Sequence, residues 1–158
     1  MAIELSQFVK NIKELKRVLP QVVKYLLFSD EALKLINANI EAWNKGLMPS
    51  GETITNNFTG STSYGQRWGE IRQNENKPTD HYYLQFSGQF AKSLVLEVEI
   101  KNLNVSLNIV SKGQAMKEDD LNAMFGDIIG IPSEALENFF KWFEIELVKE
   151  INERLFKA

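Results

Sequence analysis

Residues 94–110 read LVLEVEIKNLNVSLNIV, and two runs within them keep strict alternation. Leu94, Leu96, Val98 and Ile100 share one face, opposite Glu97, Glu99 and Lys101, and Leu103, Val105, Leu107 and Ile109 then alternate with Asn104, Ser106 and Asn108. A period of two marks a strand with one buried face. If Ile100 pairs with Leu103, then 98 meets 105, 96 meets 107 and 94 meets 109, and every apolar pair falls on one face. The predicted element is an antiparallel hairpin. Its turn under that pairing, Lys101 and Asn102, is not the favoured Asn-Gly, and a four-residue loop of the same parity serves equally.

Helical spacing flanks the hairpin. Leu5, Phe8, Ile12, Leu15 and Leu19 recur every three or four residues, with Lys10, Lys13, Lys16 and Arg17 elsewhere on the wheel. Pro20 suits the first turn of a second helix, carried by Val22, Leu26, Leu33, Ile36, Ile40 and Trp43 to Gly46, with Ser29 and Asp30 placed to cap a fresh start. Beyond the hairpin, residues 117–125 form a short acidic helix candidate closed by Gly126. The last helix begins near Ser133, with Leu136, Phe140, Phe143, Leu147, Ile151 and Leu155 in one stripe that Phe139 and Trp142 widen. The fold class is therefore α+β, an antiparallel β-sheet with a central hairpin flanked by N-terminal helices and a long C-terminal helix. Residues 52–58 and 81–86 are candidate further strands.

Between helices and hairpin lies a polar loop or arm at about 48–66. Its stretch SGETITNNFTGSTSYGQ (50–66) has 12 Ser, Thr, Asn or Gly among 17 positions and is expected to bury little by itself. Residues 47–92 nevertheless hold Phe58, Tyr64, Trp68, Tyr82, Tyr83, Phe86 and Phe90. Aromatics in so polar a segment dock on the domain's own core or on a neighbouring subunit. At 158 residues the chain, 1–158, is expected to form a single domain.

Composition removes several chemistries. There is no cysteine, which excludes disulfides, thiolate metal sites and cysteine nucleophiles. A single histidine, His81, excludes a zinc site built on two or three histidines. The opening MAIELSQFVKNIKELK lacks an apolar signal core, and no run approaches the ~18 apolar residues of a membrane span, so the protein is expected to be made in the cytoplasm without a membrane segment. Net charge is −3, and residues 93–158 hold 7 basic against 12 acidic groups, which disfavours sequence-independent nucleic-acid binding. The same acidity suits a channel through which DNA passes without sticking.

Each candidate site has an ordinary explanation. Glu118, Asp119 and Asp120 lack the alternating spacing and turn glycine of a calcium loop and read as first-turn helix charge. Asp80 and His81 are sequence neighbours whose side chains need not face each other, so His81 reads as a surface histidine rather than a general base. A hydrolase would have to run through His81 or through an acidic pair that no pattern singles out. The glycines compose neither a P-loop nor a dinucleotide fingerprint. The sequons at Asn57 and Asn104 lack a secretion signal, and Lys10, Lys13, Lys16, Arg17 and Lys24 read as a solvated helix face. No cofactor, metal or catalytic residue is assigned, and an enzyme is not expected.

One arrangement carries more. Tyr64, Arg67, Trp68 and Gly69 precede a polar linker with Pro78, and then LQFSGQFAKSL (84–94) enters the hairpin directly. This order resembles the tail-completion, minor tail and virion-morphogenesis proteins of tailed bacteriophages. There an aromatic and basic segment precedes a signature of leucine, two residues, Thr or Ser with Gly, then a hydrophobic residue and a serine, opening a hairpin that a C-terminal helix follows. Leu84, Ser87, Gly88, Phe90 and Ser93 occupy the signature positions, with serine where threonine is commoner. FGDIIGIPSEALENFFKWFEIEL (125–147) looks like the family's closing segment. Independently of any family, Gly88 supplies a backbone bend, Ser87 and Ser93 satisfy backbone groups beside it, and Leu84 and Phe90 anchor it.

The resemblance implies a structural virion protein, made in the host cytoplasm and located in the neck or tail. It would form a homo-oligomeric ring at the head-tail junction or tail terminus, connecting portal or adaptor to tail proteins around DNA that passes through without being specifically bound. Phe58, Tyr64, Arg67, Trp68, Phe139 and Trp142 are the candidate subunit-interface residues. The alternative is a cytosolic, helix-rich regulatory or chaperone module that binds one protein partner.

Overall fold

The computed structural model describes residues 4–82, 84, 88–101 and 104–157. Among them the elements run α1 (Leu5–Leu27), α2 (Asp30–Asn44), α3 (Gln66–Asn74), α4 (Gln89–Ser93), β1 (Leu94–Lys101), β2 (Asn104–Ser111), α5 (Ala115–Phe125) and α6 (Ser133–Leu155). The fold is α+β, with an antiparallel hairpin, N-terminal helices and a long C-terminal helix. Contacts divide the chain into two compact units, residues 1–33 with 137–158 and residues 34–136. No helix among the described residues is long and apolar enough to cross a membrane.

In the first unit, α1 packs with the C-terminal part of α6. The helix does not stop at Pro20 but runs through it to Leu27. Proline forfeits one backbone hydrogen bond in a helix interior, a cost of about 3 kcal/mol. Val22, Leu26 and Leu27 lie buried beyond it, in phase with Leu15 and Leu19, and their burial at roughly 1.5–3 kcal/mol each outweighs that loss. The break comes at Ser29, whose Oγ accepts from the Ala32 N–H at 3.4 Å and donates to the Leu26 carbonyl at 2.7 Å. Asp30 and Glu31 follow in the first turn of α2, where the helix dipole favours negative charge.

Asn11 ties the two ends of this unit together. It is buried, its Nδ2 donates to the carbonyls of Leu155 and Lys157 at 2.9 Å each, and its Oδ1 accepts from Gln7. Phe8 and Phe156 meet beside it with ring centroids 6.0 Å apart. On α6 the buried aromatic is Phe139, surrounded by Phe140, Trp142 and Phe143. The predicted stripe holds at Leu136, Phe143, Leu147, Ile151 and Leu155, which are half-buried, but Phe139 rather than Phe140 takes the inward position between them.

The second unit is organised around Trp43, Ile54, Tyr82, Leu84, Phe90, Leu94, Ile109, Phe125 and Ile128. Trp43 stacks on Phe90 at 5.8 Å and donates its indole N–H to the Ile128 carbonyl at 2.7 Å. Asn39 donates to the same carbonyl, so α2 fixes the linker between α5 and α6. The hairpin pairs Lys101 with Asn104, Ile100 with Val105 and Leu96 with Ile109. That is two residues away from the Ile100–Leu103 pairing and corresponds to the four-residue loop measured from Ile100. Parity, set by the alternating pattern, holds; the register depends on the turn, whose residues 102 and 103 lie outside the described residues. The described residues of 52–58 and 81–86 add no strand, since only an isolated bridge, Leu47 to Thr53, forms there. Tyr83, Gln85 and Phe86 lie outside the described residues.

The polar arm does not extend from the unit. After α2, Gly46 adopts φ +71, and the Ile54 N–H returns to the Gly46 carbonyl at 2.8 Å. Ile54 becomes fully buried, and Asn57 bonds to the Met124 carbonyl through its backbone N–H and to the Ala123 carbonyl through its side chain. One apolar residue placed in the core is enough to fold back a segment whose remaining polar groups hydrogen-bond locally. The arm expected to bury little by itself is therefore held against the end of α5.

Candidate functional site

The segment 84–94 builds the root of the hairpin. Gly88 is left-handed, with φ 68° and ψ −10°, and starts the five-residue α4. Leu84 and Phe90 are buried on either side of this bend, and Ser93 Oγ donates to the Phe90 carbonyl at 2.6 Å. Leu94 and Ile109 carry the strands into the core. Four of the five signature residues thus do what the backbone reading asks of them. Ser87 lies outside the described residues.

From this root the hairpin runs outward. Leu94 and Ile109 are 6% exposed, whereas Ile100 and Val105 at the far end are 43% and 37% exposed. Each strand has eight residues, and its seven steps of about 3.4 Å span ~24 Å from root to tip. No other described strand pairs with either one. A two-stranded ribbon is marginal alone and draws its order from the core at its base.

Beside the root is a cavity of about 390 Å³. Tyr64, Trp68, Tyr82, Met124 and Phe125 form most of its wall, Lys117 brings its one charge, and Asn56 brings an amide. Tyr64 meets Tyr82 edge-on at 4.7 Å, and Tyr82 meets Phe125 at 4.8 Å. Behind Tyr64 the fully buried Arg72 places its guanidinium 3.9 Å from the ring centroid. Trp68 and Arg72 are one turn apart on α3, and Tyr64 lies just ahead of the helix's N-cap, Gly65. With Trp68 and Ile71 as its large apolar residues in an otherwise polar segment, α3 carries no stripe that marks it as a helix in the sequence.

The candidate interface residues separate into two kinds. Phe58 is 75% exposed on a turn that Asn56 Oδ1 holds by accepting from the N–H groups of Phe58 and Thr59. Arg67 is exposed, and Trp68, at 53%, forms the cavity rim. Tyr64 is half-buried in the cavity wall and Trp142 half-buried in the first unit. Phe139 is 3% exposed, so it serves that unit's own core and offers no surface to a neighbour; Phe140 holds the exposed position.

His81 and Asp80 do face each other, Nδ1 lying 2.8 Å from Asp80 Oδ1, while Nε2 lies 2.9 Å from the Asn44 carbonyl. With an acceptor against each nitrogen, the ring straps the end of α2 to the 80–82 segment and presents no free nitrogen to a substrate. Glu118 accepts from Ser111 Oγ, joining α5 to the end of β2. Asp119 and Asp120 are exposed, and no group of three metal-ligating side chains occurs among the described residues. Two surface pairs displace titrations: the Lys77 ammonium hydrogen-bonded to Glu75 holds its carboxyl below the usual range, and Glu146 raises Lys149 in the same manner. Comparison with family models, with curated proteins and with solved structures finds no match to this chain.

Proposed function

We propose that the chain is a structural protein of a tailed-bacteriophage virion, acting without a catalytic step as a subunit of a ring at the neck or tail terminus. The observation that carries this reading is the projecting hairpin rooted by Leu84, Gly88, Phe90 and Ser93. The residues of the family-like signature are spent on anchoring a ribbon whose apolar end stays exposed on the isolated subunit. Such a ribbon suits contact with a neighbour better than it suits a monomer. Heterologous contacts repeated around an axis close into a ring, and Phe58, Arg67 and Trp68 supply further exposed surface for them. The acidic excess in residues 93–158 favours free passage of DNA over its retention.

Electron microscopy of lysates in which this gene alone is silenced tests the assignment. Filled heads and separate tails that fail to join, restored by supplying the gene in trans, are expected. Normal joined particles in undiminished number would overturn the proposal and favour a regulatory module.

A further inference from the structure

We infer that the aromatic cavity of the second unit is a binding site for a small apolar carboxylate, a one- or two-ring or branched aliphatic body ending in a single anionic head. This goes beyond the ring assignment and does not depend on it.

The walls decide the body of the ligand. A volume of about 390 Å³ lies at the lower end of the range for small-molecule sites, and its surface is almost wholly apolar, formed by the Tyr64, Tyr82 and Phe125 rings with Leu121 and Met124. Trp68 stands at the rim with half its surface open, placed to cover a flat ring. A polar or highly hydrated ligand would lose its water there without replacement.

The rim decides the head. Its one full charge is the Lys117 ammonium, and Asn56 adds a donor, while the Tyr64 and Tyr82 hydroxyls of the wall are neutral groups that donate or accept. Lys117 carries three N–H groups, and no described carboxylate pairs with it; its ammonium lies 5.7 Å from the Phe90 ring centroid. Asn56 has its Oδ1 taken by the N–H groups of Phe58 and Thr59, which leaves Nδ2, another donor, as its remaining polar function. A site whose charge is a lysine ammonium attracts an anionic head and repels an ammonium. A carboxylate on an apolar body satisfies walls and rim together.

The test compares three probes of one shape on the wild-type chain by nitrogen–proton NMR: 2-naphthoate, 2-naphthol and 2-naphthylmethylamine. The acid is expected to saturate below about 1 mM, shifting the Gly65 amide and the Trp68 indole, with the alcohol at least about tenfold weaker and the amine weaker still. Lys117→Met, which keeps the stem beside Phe90, is expected to weaken the acid about tenfold and leave the alcohol unchanged, while Lys117→Arg restores the acid. Equal binding of all three probes, shifts confined to residues away from the cavity, or no saturation by the acid up to several millimolar would each overturn the inference. Because the probe series needs no variant, a misfolded substitution leaves the result decisive. Any of these failures leaves the ring proposal standing, since that is judged on particles.

Discussion

At the residue scale, Gly46 and Gly88 both have positive φ, at 71° and 68°, but their surroundings differ. A Cβ on Gly46 would stand 2.7 Å from His81 Cβ, whereas one on Gly88 meets nothing within 4 Å. Gly88→Ala should therefore cost only the left-handed conformation, about 1 kcal/mol, and Gly46→Ala that amount plus an overpacking term of about 1–3 kcal/mol. Thermal unfolding of the two variants checks the order, and an equal loss would remove the His81 contact from the account. The Gly88 bend was legible in its sequence setting. The close approach at Gly46 was not, since it depends on a histidine 35 positions away.

Ile54 makes the same point inside the arm. Among its serines, threonines and asparagines it reads as incidental, yet it is fully buried, while Phe58, the larger residue four positions on, is 75% exposed. Ile54→Ala is expected to cost about 2–5 kcal/mol as a core truncation, and Phe58→Ala to stay within roughly 0.5 kcal/mol as a surface change. Denaturant titration of both decides the matter. If Phe58→Ala proved the more damaging, the arm would not be folded as described.

At the scale of elements, alternation located the strands and their inward faces because a period of two leaves no choice of face. The register stayed open, as it follows from turn residues whose types are not specific. The helices bounding the chain were legible from long apolar stripes, but the break in the first was misplaced at Pro20. Proline costs a helix less than a lost apolar stripe when that stripe continues beyond it. Pro20 is exposed, so replacing it by alanine restores a hydrogen bond without opening a cavity. Pro20→Ala should stabilise the protein by about 1–3 kcal/mol, read as a melting point higher by several degrees. A lower melting point would mean that α1 depends on the irregularity proline introduces. α3 is illegible for the opposite reason: Trp68 and Ile71 are its large apolar residues, too few to make a stripe.

At the scale of the whole molecule, each unit has its own fastening, Asn11 with the C-terminal carbonyls in one and the Trp43–Ile128 hydrogen bond in the other. What composition excluded at the outset, thiolate and multi-histidine chemistry, followed from counts alone. What it could not contain was the aromatic cavity, because Asn56, Tyr64, Tyr82, Lys117 and Phe125 are brought together only by folding. The projecting hairpin sits between these cases: the alternation foretells the ribbon, and only the packing at its root determines that its far end is left uncovered. An uncovered apolar end is a demand for a neighbour, and the ring assignment is one way of meeting it.

The assignment is tested most directly by quantitative mass spectrometry of density-purified virions from cells producing this protein from its own genome. The account predicts recovery at a constant ratio to the other virion proteins, at a few to about a dozen copies per particle as closed cyclic rings require. Its absence from particles, with the protein remaining in the unassembled fraction, would contradict it.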